Sequence, residues 1–180
     1  MESINGVNFH DENLEYIVRA VLGKPDGLLM GCDLDSLIEL NLVGKEIKDP
    51  SGLGECPNLI SLNLSDNQIR SISPLASLAK LEGLFLGYNN IQDISPLALL
   101  TKLKRLHLGH NMISDLSPLA SLTDLSWLYL RSNIISDLSP LASLKNLTFV
   151  GLTGNSLNQE SVDIHVPNLR AKGVGVELIM

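Results

Sequence analysis

From Leu59 onward the apolar positions of this chain repeat with a period of 22 residues. Leu62, Leu84, Leu106, Leu128 and Val150 form one column, and Leu64, Leu86, Leu108, Leu130 and Leu152 form the next. One variable residue separates the two columns, the alternation of a short strand with a single buried face. Each strand is followed by an asparagine, at Asn67, Asn89, Asn111, Asn133 and Asn155. Ile69, Ile91, Ile113 and Ile135, then Ile72, Ile94, Leu116 and Leu138, supply further apolar columns. A strict period of this length predicts a stack of identical supersecondary units, a solenoid with one continuous surface.

The asparagines have a structural explanation. An amide carries both a donor and an acceptor, so it can bond turn backbone that would otherwise be unsatisfied inside a dry stack, and can pass the connection to the adjacent coil. On the return side stand Pro74, Pro96, Pro118 and Pro140, each preceded by serine. Ser-Pro is expected to open and cap a helical turn, and the few residues before the next strand predict a short 3₁₀ turn. A right-handed, curved stack is expected, with a parallel sheet on its concave face and short 3₁₀ turns on its convex face.

A less regular first coil runs from Leu37, with Lys45 in place of the asparagine and Pro50 in place of Ile or Leu, so six coils are expected. Solenoid ends expose apolar columns and strand edges, and both must be covered. At the front, Asp11 can cap a helix that turns Leu14, Ile17, Val18, Val21 and Leu22 toward the first coil and stops at Gly23. At the back, residues 159–172 read as a helix interrupted by proline, Gly173 as its stop, and Val174, Val176 and Leu178 as a terminating strand. The expected division is a helical N-terminal cap over 1–36, a repeat array over 37–157 and a C-terminal cap over 158–180.

A net charge of −7 and a pI near 5.0 argue against nucleic acid, which requires a basic stripe. No apolar run approaches the ~20 residues needed to cross a bilayer. The start, MESINGVNFHDENLEY, has no basic segment followed by an apolar stretch, so no secretory signal is expected in it. The protein then either stays inside the cell or is a piece of a longer exported one. Of the two cysteines, Cys56 falls in the column of Leu78, Leu100, Leu122 and Leu144. It is either a buried thiol or the partner of Cys32 in a disulfide.

These residues resemble the 22-residue class of leucine-rich repeats found in internalins and in repeat proteins of the phosphatase-regulator type. The resemblance rests on LxxLxLxxNxIxDISPLAxL in the repeats, on VNFHDENLEYIVRAVLGKPDG at the front and on LNQESVDIHVPNLRAKGVGVEL at the back. The two end segments are similar to the caps of bacterial internalin-like surface proteins. The resemblance implies an α/β leucine-rich repeat solenoid that recognises a partner protein and has no catalytic activity. A monomer without cofactor or membrane-inserted segment is expected.

Residues between the core leucines must point out of the sheet. A first row reads Glu39, Ser61, Gly83, Arg105, Trp127, Phe149, and a second Asn41, Asn63, Phe85, His107, Tyr129, Gly151. A third reads Val43, Ser65, Gly87, Gly109, Arg131, Thr153, and Gly44, Asp66, Tyr88, His110, Ser132, Gly154 begin the turn. These 24 positions hold five of the seven aromatics, two of the five arginines and none of the eight lysines. Such a bias is the composition of interface hot spots. The candidate partner-binding residues are therefore Phe85, Tyr88, Arg105, His107, His110, Trp127, Tyr129, Arg131 and Phe149. The alternative is that the aromatics pair across strands simply because they suit a pleated surface.

His107 and His110 lack the further ligands a metal site needs. His107 is better assigned to the patch, where protonation near pH 6.5 would make binding pH-sensitive. Asp93, Asp115 and Asp137 suggest calcium, but carboxylates at that position more commonly bond local amides. The serines have no histidine and acid in adjacent columns, so nucleophilic catalysis has no base. The sequence points to protein recognition on a cell surface or toward a host, with an intracellular scaffold or a carbohydrate-binding module as alternatives.

Overall fold

The computed structural model describes residues 6–179; the outermost residues of the two expected caps, 1–5 and 180, lie outside the described residues. Seven three-residue strands run parallel in sequence order: β1 (Glu39–Asn41), β2 (Ser61–Asn63), β3 (Gly83–Phe85), β4 (Arg105–His107), β5 (Trp127–Tyr129), β6 (Phe149–Gly151) and β7 (Gly175–Glu177). Register advances by one coil at each step, so Leu62 pairs with Leu84, Leu84 with Leu106 and Leu106 with Leu128. Both leucine columns are fully buried and join a single core that runs the length of the stack. Short 3₁₀ turns at Leu53–Glu55, Ser73–Leu75, Ser95–Leu99, Ser117–Ser121 and Ser139–Ser143 form the opposite wall.

The asparagines hold successive coils together. The Asn111 side-chain oxygen accepts the Ile91 N–H at 3.0 Å. Its amide nitrogen donates to the carbonyls of Leu86, Leu108 and Gly109 at 3.0, 3.0 and 3.4 Å. Asn67, Asn89 and Asn133 repeat this pattern, each reaching back to the coil before it. That direction explains Lys45 in the first coil, where no earlier coil needs an asparagine. Asp11 ties the cap to the first coil: its Oδ1 accepts from Asn13 and Leu14 at 3.1 and 3.2 Å, capping α1 (Glu12–Leu22). Its Oδ2 accepts from Lys48 and Asp49 at 2.8 and 3.3 Å, which fastens α1 to the first coil.

Four details depart from the sequence reading. Val21 is not buried against the first coil; it is 55% exposed, while Leu14 and Val18 are buried and Ile17 and Leu22 are partly buried. A one-turn helix, α2 (Gly31–Leu34), follows α1 and had no periodic signal to reveal it. The Ser-Pro serines are not the caps of the 3₁₀ turns. The caps are the preceding carboxylates: Asp93, Asp115 and Asp137 each accept the N–H of the serine two residues on at 2.8 Å, and its hydroxyl as well. These bonds favour the ionised form and lower the pKa of Asp93 and Asp137. Finally, the C-terminal helix opens with a π turn (Ser161–His165) before α3 (Val166–Ala171). Pro167 has no N–H for the fourth residue back, and the turn ahead of it widens. Buried Ser161, unremarked in the sequence, accepts the Leu138 N–H and donates to the Ser136 carbonyl, both at 3.0 Å.

Both thiols are free: Cys32 is exposed and Cys56 is buried. Burial, with Glu55 adding to it, pushes the Cys56 thiol up to about 12. Native protein should therefore take up one alkylating group, on Cys32, and a second only in denaturant, as read by intact mass. For the asparagines, Asn111→Ala leaves several buried backbone groups unpaired at ~1–3 kcal/mol each. Asn155 is only partly buried and makes fewer bonds. Urea titration should show Asn111→Ala as the more destabilising of the two, by at least ~1 kcal/mol.

Candidate protein-recognition face

Alternation along each strand sends one side chain in three into the core and two onto the open sheet face. Register then aligns Arg105 with Trp127 and Trp127 with Phe149, and likewise Phe85 with His107 and His107 with Tyr129. The rings form one near-parallel array. Trp127 lies 5.6 Å from Tyr129 at 6° and 5.7 Å from Phe149 at 16°, and His107 lies 4.8 Å from Tyr129 at 17°. Trp127, Tyr129, Phe149, His107 and Phe85 are all half-buried against one another and the sheet. Arg105 departs from simple adjacency. Its guanidinium turns back toward coil three, 5.9 Å from the Phe85 ring centre, rather than lying beside Trp127.

Three glycines of the open-face rows, Gly87, Gly109 and Gly151, make this array possible. A Cβ on Gly87 would stand 2.2 Å from the His107 ring, and one on Gly151 would stand 2.6 Å from the Tyr129 ring. Gly109 gives Tyr129 room from the other side, at 3.1 Å. The large rings thus occupy space that the small residues of neighbouring coils vacate. The available signal was a glycine in the next coil beside Tyr129, at Gly151, and glycines at Gly87 and Gly109 in the row next to His107 and Tyr129.

The position that begins each turn is a second unforeseen feature. Gly44, Asp66, Tyr88, His110, Ser132 and Gly154 all have φ between 54 and 78°, in the left-handed region. That conformation costs a residue with a Cβ roughly 1–2 kcal/mol. The sheet ladder holds it, since the N–H groups of Tyr88 and His110 donate to Gly109 and Arg131 carbonyls at 2.9 and 2.7 Å. Turning the chain here aims the following asparagine inward and throws the preceding side chain up. Tyr88 and His110 consequently stack, with ring centres 4.0 Å apart at 10°, and Tyr88 is 55% exposed.

Charge on the face divides along the stack. Coils one and two present Glu39 and Asp66 with small polar residues, whereas coils four and five present Arg105 and Arg131. Neither arginine has a carboxylate within ion-pair distance among the described residues, although Lys104 beside them is paired with Glu82 at 2.9 Å. Tyr129 raises the pKa of Arg131. β7 adds Glu177 next to Gly151, a row position the sequence reading had not extended to. No group of three or more metal-ligating side chains gathers among the described residues, and no described helix is long and apolar enough to cross a membrane.

The expectation that His107 titrates near 6.5 needs correction. Desolvation, and then the neighbouring His110, lower its pKa. Its Nδ1 is buried without a well-aligned partner, and the approach to its own backbone carbonyl offsets only part of the desolvation. The unfolded chain takes up that proton at the ordinary value of 6.5, above the folded one. Stability should therefore fall as pH drops through 6.5 toward the folded value. Urea midpoints for wild type and His107→Gln should diverge below that pH, with the variant less acid-sensitive.

The comparisons with known proteins agree with this architecture. Two copies of the Leucine Rich repeats family match residues 35–77 and 79–121. An internalin of Listeria monocytogenes (inlF) is 33% identical over 96% of this chain, with a TM-score of 0.82. Internalin C2 from the same organism is 31% identical, covering 95% of this chain and 94% of its own, with a TM-score of 0.54. The chain belongs to the internalin-like leucine-rich repeat family. A leucine-rich repeat protein of Leptospira interrogans is 26% identical over 84% of the chain, with a TM-score of 0.65. The internalin-like chain spans 52% of the inlF structure and 45% of the Leptospira one. No curated protein sequence matches it significantly. Leucine-rich repeat folds are in general protein-interaction modules, and internalin-like proteins are typically non-catalytic.

Proposed function

We propose that this protein is a non-catalytic recognition module that grips a partner protein with the ring array on coils three to six. The reading is carried by the array itself: Trp127, Tyr129, Phe149 and His107 share one near-parallel arrangement beside two arginines on an open sheet face. Cross-strand pairing alone would account for rings that touch. It does not account for Tyr88, 55% exposed above a strained turn, nor for two arginines in an acidic protein that have no carboxylate at ion-pair distance among the described residues. Exposed aromatic and arginine groups of this kind carry most of the energy in protein interfaces.

The anchors are Trp127, Tyr129, Arg131 and Arg105, with Phe85, Tyr88, His107, His110 and Phe149 around them. A setting at a cell surface or toward a host accords with the internalin-like relatives, and is part of the proposal. Affinity capture with wild type and Trp127→Ala, followed by mass spectrometry, tests it. Truncating a hot spot costs ≥2 kcal/mol, so Trp127→Ala should bind a captured partner at least ~30-fold more weakly. Its melting should change little beside Leu106→Ala, which costs ~2–5 kcal/mol. Recovery of the same proteins at equal affinity on both baits would remove the array from consideration.

A further inference from the structure

Resting on that reading, we infer the chemistry of the partner: an acidic, extended polypeptide segment that sets an apolar side chain on the ring array between two carboxylates, one at Arg105 and one at Arg131. The arginines bracket the rings. Arg105 is the first-row residue of β4 and Arg131 the third-row residue just past β5, with the second-row rings of His107 and Tyr129 between them. Four residues of rise and one strand spacing put their Cα atoms roughly 14 Å apart. An extended chain spans that distance in about four residues, so carboxylates at i and i+4 meet both guanidinium groups once the exposed Arg105 side chain swings off Phe85, while the residue between them meets the rings.

Charge complementarity selects the sign. The chain carries −7 overall, yet this region presents Arg105 and Arg131 unpaired while the nearby Lys104 is already neutralised by Glu82. Guanidinium groups flanking a partly desolvated apolar surface favour planar carboxylates, which they bind through two parallel hydrogen bonds. Glu39 and Asp66 at the N-terminal end of the face, and Glu177 beyond coil six, repel the same segment. They confine it to coils three to five. An acidic polysaccharide would share the carboxylates but would not need an apolar residue between them.

The probe is a random-peptide phage library selected on the full chain, with heparin binding measured in parallel. Selected peptides should be acidic, with an aromatic or aliphatic residue between two Asp or Glu about four positions apart. Their affinity should fall as salt is raised and drop roughly tenfold in Arg105→Gln and again in Arg131→Gln. Both arginines are exposed, and unchanged melting of each variant confirms that the fold is kept. Neutral or basic peptides that still depend on Trp127 would overturn this inference while leaving the ring array as the recognition site. Peptides that ignore Trp127 would count against the site itself. Tight heparin binding without any acidic peptide selected would overturn the polypeptide assignment.

Discussion

Backbone hydrogen bonding inside a dry stack is the constraint on which the rest of this structure depends. A coil of 22 residues must turn corners within the core, and a corner has N–H and C=O groups that no sheet ladder reaches. One asparagine per coil meets that demand from its side chain, bonding its own turn and the coil before it. The bonds run backward, so the ladder starts at the second coil, where Asn67 bonds the turn of the first, and Asp11 fastens the cap to that coil. A leucine in place of a ladder asparagine would match the apolar columns around it and still leave those groups without partners.

The same turn shapes the functional face. Because the residue before each asparagine is held in the left-handed region, its side chain leaves the sheet plane, and the chain accepts strain at Asp66, Tyr88, His110 and Ser132. The strain recurs at one position per coil and is held by the parallel ladder, so it belongs to the scaffold. What varies is the side chain carried there. In coils three and four it is a stacked Tyr–His pair, which extends the ring array past the strand ends. Scaffold and recognition surface thus share a backbone while answering to different demands: the inward positions to packing, the outward ones to a partner.

Much of the candidate face was legible because strand alternation and a fixed period assign every residue a row and a neighbour before any coordinates exist. The pairing of Arg105 with Trp127, and of His107 with Tyr129, followed from counting alone. Three things did not follow. Arg105 leans toward Phe85 instead of Trp127, a rotamer choice that depends on the space above Gly83. His107 resists protonation because of its burial, and its burial depends on the absence of a side chain at Gly87, in another coil. The serines do not cap the 3₁₀ turns; Asp93, Asp115 and Asp137, in the local-amide role the sequence assigns them, do so, because a carboxylate two residues ahead reaches both the serine N–H and its hydroxyl.

The repeat period, the two leucine columns, the asparagine ladder and the rows of the open face were all determined by the chain itself. Each depends on a local rule applied at every coil, and repetition removes the ambiguity that a single strand would leave. Tertiary structure alone decided how the side chains on that face dispose themselves. Ring angles, the glycine spaces beneath His107 and Tyr129, the turned-back Arg105 and the exposed Val21 depend on distances between atoms of different coils and caps. Those distances arise only when the stack closes, because a period states which residues are neighbours and leaves open how much room each has.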